Sequence, residues 1–372
     1  MKSITYVYSG GRSENYFKDN ILAKDFYYGI TEFDKEKYKI NIIEFQKKSG
    51  FFNVFLKFFD KLMTRFVSLP FYTSLIVNVK NLKLLLKTNY LILVNENVGC
   101  SMLPLLILLK FKKDLNVSMF SMGLYSKKLR IPFLKPIHNF FIKLLVKNIN
   151  QVLFLGKGEY NKAMNTHQKL YNKFFYFPFS IDTKFWGEDV VSSNEKNGVV
   201  FVGNDGNRDS ELLINIVKKL SNISFTLITS IPELVSLNLP NVKVFEGKWG
   251  NSNISDAEIK RFYQDSRLSI IPLKESTQPS GQSVALQSMC AGVPVIISRT
   301  EGFWDNDKFE NNENIIFPEK NTLEAWVSII EKYYSDNISL EKVALSASKN
   351  VNDNFNLTIF TKALQNIIGI SK

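Results

Sequence analysis

The chain has 372 residues, 45% of them hydrophobic, which is enough for two domains with separate cores. Its two cysteines, Cys100 and Cys290, exclude a disulfide scaffold and fit a reducing cytoplasm. No apolar run reaches the ~18 residues of a membrane span, and the short apolar start leading into Gly10 and Gly11 does not read as a signal peptide.

Strand-like and helix-like runs alternate, which predicts an α/β fold with largely parallel sheets. In the first half, strands are predicted at Ser3–Tyr8, Lys39–Glu44, Tyr90–Asn95, Val117–Ser121 and Gln151–Gly156. Helices are predicted at Asn15–Tyr28, Phe52–Leu69, Phe71–Leu86, Met102–Phe111 and Pro136–Lys147. Ser9-Gly10-Gly11-Arg12 follows the first strand, where glycines let backbone approach a ligand closely. It also reads as a plain βα turn. Glu96, between Asn95 and Asn97 after a strand, is a candidate for touching an acceptor, or a surface residue.

The net charge of +12 is unevenly spread. Between Gln46 and Asn150 stand 17 Lys or Arg against three acids, Asp60, Glu96 and Asp114, so the rest of the chain is slightly acidic. Phe and Leu interleave with these cations, as in Phe51-Phe52-Asn53-Val54-Phe55-Leu56-Lys57-Phe58-Phe59. That composition suits helices lying on an anionic membrane surface. Ordinary solvated helices and a nucleic-acid face are the alternatives, although no nucleic-acid motif is present. His138 and His167 do not form a catalytic pair in this pattern.

The second half opens with Phe177-Pro178-Phe179-Ser180-Ile181-Asp182-Thr183-Lys184-Phe185-Trp186, read as a linker. Strands are predicted at Gly198–Gly203, Phe225–Thr229, Val242–Glu246, Leu268–Pro272 and Val295–Ser298, and a helical pattern at Leu357–Ile370. Gly203-Asn204-Asp205-Gly206-Asn207-Arg208-Asp209 follows the first of these strands, and Lys274 follows the fourth. Arg binds phosphate through a planar, permanently charged fork. Salt bridging to Asp209 or Glu211 would be the structural role for Arg208, and solvation that for Lys274. Residues 279–295 then spell a Pro-Ser-Gly loop, a helix through Gln282, Ser283 and Val284, a C-terminal Gly292 and a strand entered through Pro294. A Gly/Ser loop opening a helix exposes unpaired N–H groups and positive dipole, the elements of a phosphate site.

Leu286-Gln287-Ser288-Met289 followed by Gly292-Val293-Pro294-Val295-Ile296 resembles the donor-site helix of family 4 glycosyltransferases. The linker resembles the segment entering the C-terminal domain of that family, and the Gly203 loop resembles its Gly-Arg loop, with Asn204 at the usual Arg and Arg208 near the usual Lys. The family carries two Glu residues two helical turns apart. Here Gln287 stands at the second, ribose-binding position and Pro279 at the first, while a longer preceding loop offers Glu275 for the same space.

The resemblance implies a GT-B fold of two Rossmann-like domains across a cleft. Residues 1–177 would bind acceptor, 178–356 nucleotide sugar, and 357–372 would form a helix returning to the first domain. It implies sugar transfer from a nucleoside-diphosphate sugar to a lipid-linked or polysaccharide acceptor, with retention and with no metal or other cofactor. Arg208, Lys274 and Glu275 would serve catalysis. Gly10, Gly11, Gly203, Asn204, Ser280, Gly281, Gln282, Ser283, Val284 and Gln287 would bind donor, and Glu96 acceptor. The expected location is cytoplasmic, peripheral on the inner membrane face, with no nucleic-acid partner. A nucleotide-sugar epimerase and a non-catalytic binding subunit are the alternatives.

Overall fold

The computed structural model describes residues 1–18, 22–47, 49–127, 129, 131–188, 196–247 and 254–370. The chain forms two compact units. One comprises Met1–Ile21, Tyr27–Pro178 and Thr361–Lys372; the other comprises Leu22–Phe26 and Phe179–Phe360.

The first unit holds strands β1 (Lys2–Tyr8), β2 (Tyr38–Glu44), β3 (Tyr90–Leu93), β4 (Asn116–Ser121), β5 (Gln151–Phe154) and β6 (Phe174–Tyr176). They pair in parallel in the order β2-β1-β3-β4-β5-β6. The second holds β7 (Val199–Val202), β8 (Phe225–Thr229), β9 (Val242–Glu246), β10 (Leu268–Ile271) and β11 (Val295–Ile297), also parallel, in the order β11-β10-β7-β8-β9. Helices on both faces bury such sheets, which is why β3, β7, β10 and β11 are buried throughout and, apart from Ser269 of β10, apolar. Phe201, Phe225, Ile270, Ile296, Trp326 and Ile330 anchor the second core. Chain order reverses between β1 and β3 in one sheet and between β7 and β10 in the other. Ligands of doubly wound sheets bind at these switch points, beyond the strand C-termini.

Three predicted helices differ from the observed ones. The Asn15–Tyr28 run is a short helix, Ser13–Phe17, and a separate 3-10 turn, Asp25–Tyr27. The carbonyls of Tyr27 and Tyr28 accept instead from the hydroxyls of Tyr8 (2.8 Å) and Tyr6 (3.0 Å). The Phe71–Leu86 run divides into Thr73–Ile76 and Val79–Leu85, because extended Asn78 caps the second helix by accepting from the Asn81 N–H. The third helix starts at Glu96, not Met102, capped by Asn95, and runs through Pro104 to Leu108. Among the described residues, no helix is long and apolar enough to cross a membrane.

Candidate functional site

At the switch point of the second unit, the loops after β7 and β10 are laced together. Asp209 N–H donates to the Pro272 carbonyl (3.0 Å), Lys274 N–H to Asn207 (2.8 Å), and the Asn207 amide to Ser280 Oγ (2.7 Å). This lacing carries Arg208 inward until its side chain is only 4% exposed. Its guanidinium lies against two glycines. A Cβ on Gly203 would stand 2.0 Å from Arg208 Nε, and one on Gly281 would stand 3.4 Å from Nη1. Asp205 Oδ2 pairs with Nη1 at 3.3 Å, yet Nε and Nη1 both lack a hydrogen-bond acceptor. Burial lowers the pKa of the group, opposed by Asp205. The guanidinium nevertheless stays charged at any physiological pH.

Gly281, left-handed at φ 74°, precedes the helix Gln282–Cys290 and provides no side-chain cap. The helices starting at Ser210, Asp256, Leu323 and Asn337 in the same unit are each capped by a side chain: Asp209, Ser255, Thr322 and Asp336. The amides of Gln282, Ser283 and Val284 therefore retain their donors beside a buried cation. The helix ends as Gly292 predicts, at φ 71°. Gly292 N–H donates to Met289 and Val293 N–H to Ser288, which closes a Schellman motif. Lys196 adds its ammonium to the carbonyl of Gly292 at 2.9 Å, a favourable charge at this pole of the helix. Burial pushes the Lys196 pKa down to about 8.

The other predicted donor residues divide into open and occupied. Lys274 is exposed, with no ion pair among the described residues. Glu275 braces its own loop, accepting from Glu301 N–H at 2.7 Å and from Ser276 N–H at 3.1 Å. The Asn204 amide donates to the Gly247 carbonyl and accepts from Ser230, so it closes the β7 and β8 loops onto each other. Val284 is buried, its carbonyl accepting from Tyr263; Gln282 is buried with an unpartnered Nε2, and Ser283 is half-buried.

Gln287 is fully buried. Its amide donates to Asp25 at 2.7 Å, and its Oε1 is unpartnered. Asp25 also accepts from Asp182 N–H (2.6 Å) and the Trp186 indole (2.8 Å). Burial pushes the Asp25 pKa up to about 7 despite these donors. Sequence reading missed Asp25, whose partners lie more than 150 positions away.

At the switch point of the first unit, Gly10 and Gly11 are exposed, with no atom within 4 Å of a Cβ at either position. The helix start beyond them is already occupied. Glu44 at the end of β2 accepts from Arg12 N–H (2.6 Å) and Ser13 N–H (3.0 Å). After β3, Glu96 is buried, accepts from Met122 N–H (3.3 Å) and pairs with Lys127 (3.3 Å). Glu159, in the first turn of the helix Lys157–Thr166 that follows Gly156, accepts from Ser121 Oγ and Tyr125 N–H at 2.9 Å each, through Oε1. Its Oε2 is buried and unpartnered, and burial with the Glu96 charge pushes its pKa up to about 8. The glycine pair Gly156 and Gly158 was the available signal for it. His138 and His167 are bonded to the Val67 carbonyl and Tyr125 hydroxyl. Among the described residues, no His/Cys/Asp/Glu cluster is arranged to hold a metal ion.

No protein-family model matches the chain, and no curated protein matches its sequence. Solved structures match its fold. HepE of Anabaena, in complex with UDP, is 11% identical with a TM-score of 0.66, and 100% of each chain is covered. A glycosyltransferase from Rickettsia africae is 12% identical with a TM-score of 0.64, covering 99% of this chain and 98% of its own. The sucrose-phosphate synthase of Thermosynechococcus elongatus is 11% identical with a TM-score of 0.64 and 100% of each chain covered. These neighbours share two Rossmann-like parallel sheets, and the present chain has the same GT-B fold.

Proposed function

We propose that the protein is a glycosyltransferase that takes a sugar from a nucleoside-diphosphate sugar. The observation that carries this reading is Arg208, a buried guanidinium ion-paired to Asp205 but with Nε and Nη1 making no hydrogen bond, beside the uncapped N-terminus of Gln282–Cys290. Fixed N–H donors, helix dipole and a desolvated cation converge where a diphosphate would sit. The leaving diphosphate gains charge in the transition state, and donors fixed in advance stabilise it without reorganisation. Lys274, exposed at the same loop, would add a second cation. The reading includes retention of configuration, transfer without a metal, and an acceptor that is lipid-linked or a cell-surface polysaccharide. It also includes peripheral attachment to the inner face of the membrane through the helix Phe51–Val67, with the glycine turn at Gly10 and Gly11 and Glu96 on the acceptor side.

Because HepE was solved with UDP, uridine nucleotides are the first probes. A thermal-shift series over nucleoside diphosphates should single out one base. Ligand at a hundred times its Kd adds about 2.7 kcal/mol of stability. No response to any nucleoside diphosphate would refute donor binding. The internally bonded amides of Asn204 and Gln287 favour a second reading, a subunit that binds nucleotide without transferring sugar. Donor hydrolysis or transfer in a sugar-nucleotide screen separates the two. Membrane attachment is tested by co-sedimentation with anionic and neutral vesicles across a salt series, where binding should weaken as exposed charges are screened.

A further inference from the structure

The helix Phe51–Val67 turns its apolar side outward. Asn53, Leu56, Asp60 and Val67 face the interior. Phe51, Phe55, Phe58, Leu62 and Phe66 recur along the opposite side, exposed by 93%, 61%, 65%, 43% and 43%. Lys57, Lys61 and Arg65 form a second row, four residues apart, along one border of this stripe. Like charges at this spacing repel one another and weaken a helix. No ion pair relieves them among the described residues.

The row does not simply point at solvent. It lines a groove of about 780 Å³, closed on the other side by Phe71, Tyr72 and Ile131. Among the described residues that line the groove, Asp60 is the one acid, and its two oxygens are taken by the N–H groups of Thr73 (2.8 Å) and Ser74 (2.9 Å). The groove therefore offers three cations whose own carboxylate neighbour is already bonded. Near the start of the same helix, a second hollow of about 420 Å³ is apolar, lined by Leu56, Val77, Leu82, Leu105 and Leu108. Asn53 at this hollow and Lys61 at the groove are separated by about 12 Å of helix.

We infer that this groove binds the phosphate group of a membrane lipid, whose hydrocarbon chain lies along the Phe51–Phe66 stripe. This rests on the lipid-linked reading of the acceptor given above. A soluble anion would use the cations but not the stripe, and a neutral lipid the stripe but not the cations. A lipid carrying a phosphomonoester or diphosphate satisfies both at once. Three cations around one hollow also favour a group with more than one negative charge.

The test is binding of the full chain to phosphatidylcholine vesicles doped with phosphatidic acid, a phosphomonoester, or with phosphatidylglycerol, a phosphodiester, at matched surface charge. Binding to the phosphomonoester should be tighter by about tenfold, the effect of one charge-assisted contact. Lys57→Gln, Lys61→Gln and Arg65→Gln together should remove that preference without lowering the melting temperature, since they relieve the repulsion along the row. Lys135→Gln, Lys143→Gln and Lys147→Gln together, an equal charge loss on the exposed side of another helix, should keep it. Equal binding to both lipids, or a preference that survives the first triple variant, overturns the groove while the membrane reading stands. No binding to any vesicle overturns both. If inorganic phosphate erases the preference at micromolar concentration, the groove is a free-anion site and the lipid assignment is wrong. Displacement from vesicles by a DNA duplex through the same three residues would likewise replace it.

Discussion

The two switch points begin with the same sequence signal, a strand running into a glycine turn and then a helix, and end in different states. After β1, the carboxylate of Glu44 occupies the amides of Arg12 and Ser13, so the helix start has its anion built in. After β7 and β10, the amides of Gln282, Ser283 and Val284 have no side-chain cap, and the buried Arg208 beside them, ion-paired to Asp205, leaves Nε and Nη1 without a hydrogen bond. A glycine turn before a helix thus indicates space for an anion, while the surrounding side chains decide whether the protein supplies it. The first helix start has its acceptor within the chain; the second has no side-chain cap.

The largest test concerns Asp25, which supports the second site from beneath by accepting from Gln287. Its pKa is about 7 in the fold, against about 3.9 for an unfolded chain. The folded state therefore binds the proton more tightly. The stability is fully present below pH 4 and is lost as pH rises to 7, by roughly 4 kcal/mol in all. Denaturant titrations across this range should show the slope, and Asp25→Asn should flatten it. Gln287→Glu would set a second carboxylate against Asp25 and steepen the loss.

Arg208→Ala should make the second switch point as unresponsive as the first. Nucleoside-diphosphate binding or donor turnover should fall by about 2–4 kcal/mol, the range for removing a charged donor from developing negative charge. Unchanged donor kinetics in a folded variant would remove Arg208 from the site. Gly203→Ala tests the same arrangement from the side. The new Cβ would lie 2.0 Å from Arg208 Nε, so the guanidinium must shift, and we expect a loss of about 2 kcal/mol in nucleotide affinity by calorimetry. The smallest effect is expected from Glu44→Ala. Losing this cap should cost about 1 kcal/mol of stability in a melting experiment, with no gain in nucleotide affinity.

Much of the second unit was legible in its residues. Val199–Val202 and Val295–Ile297 are apolar runs between glycines and prolines, and they are strands. Gly281 and Gly292 mark the ends of their helix because left-handed backbone is needed at both. Arg208 could be singled out because it follows the Gly203 turn, but its burial depends on the lacing of two loops some 65 residues apart. Asn78 broke a helix that apolar periodicity carried straight through, since a side-chain cap outweighed propensity. Asp25 and Glu44 gave no local signal at all. Their roles are set by donors brought to them by the tertiary fold, from 31 to 262 positions away. The amphipathic composition of Phe51–Val67 was plain, but which side would be buried was not, because all its Phe residues except half-buried Phe59 lie outside and Asp60 within.

The placement of Leu22–Phe26 in the second unit also bears on how this chain can be divided. A fragment cut from the gene at the linker and running from Phe179 to Phe360 would leave Asp25 behind. The Trp186 indole, the Gln287 amide and the Asp182 N–H would then all face a missing acceptor. Each stranded buried donor costs about 1–3 kcal/mol, comparable in sum with the whole stability of an ordinary domain. Chimaeras that exchange this unit between chains of the same fold should therefore carry both segments, or repack the hollow where the aspartate sat.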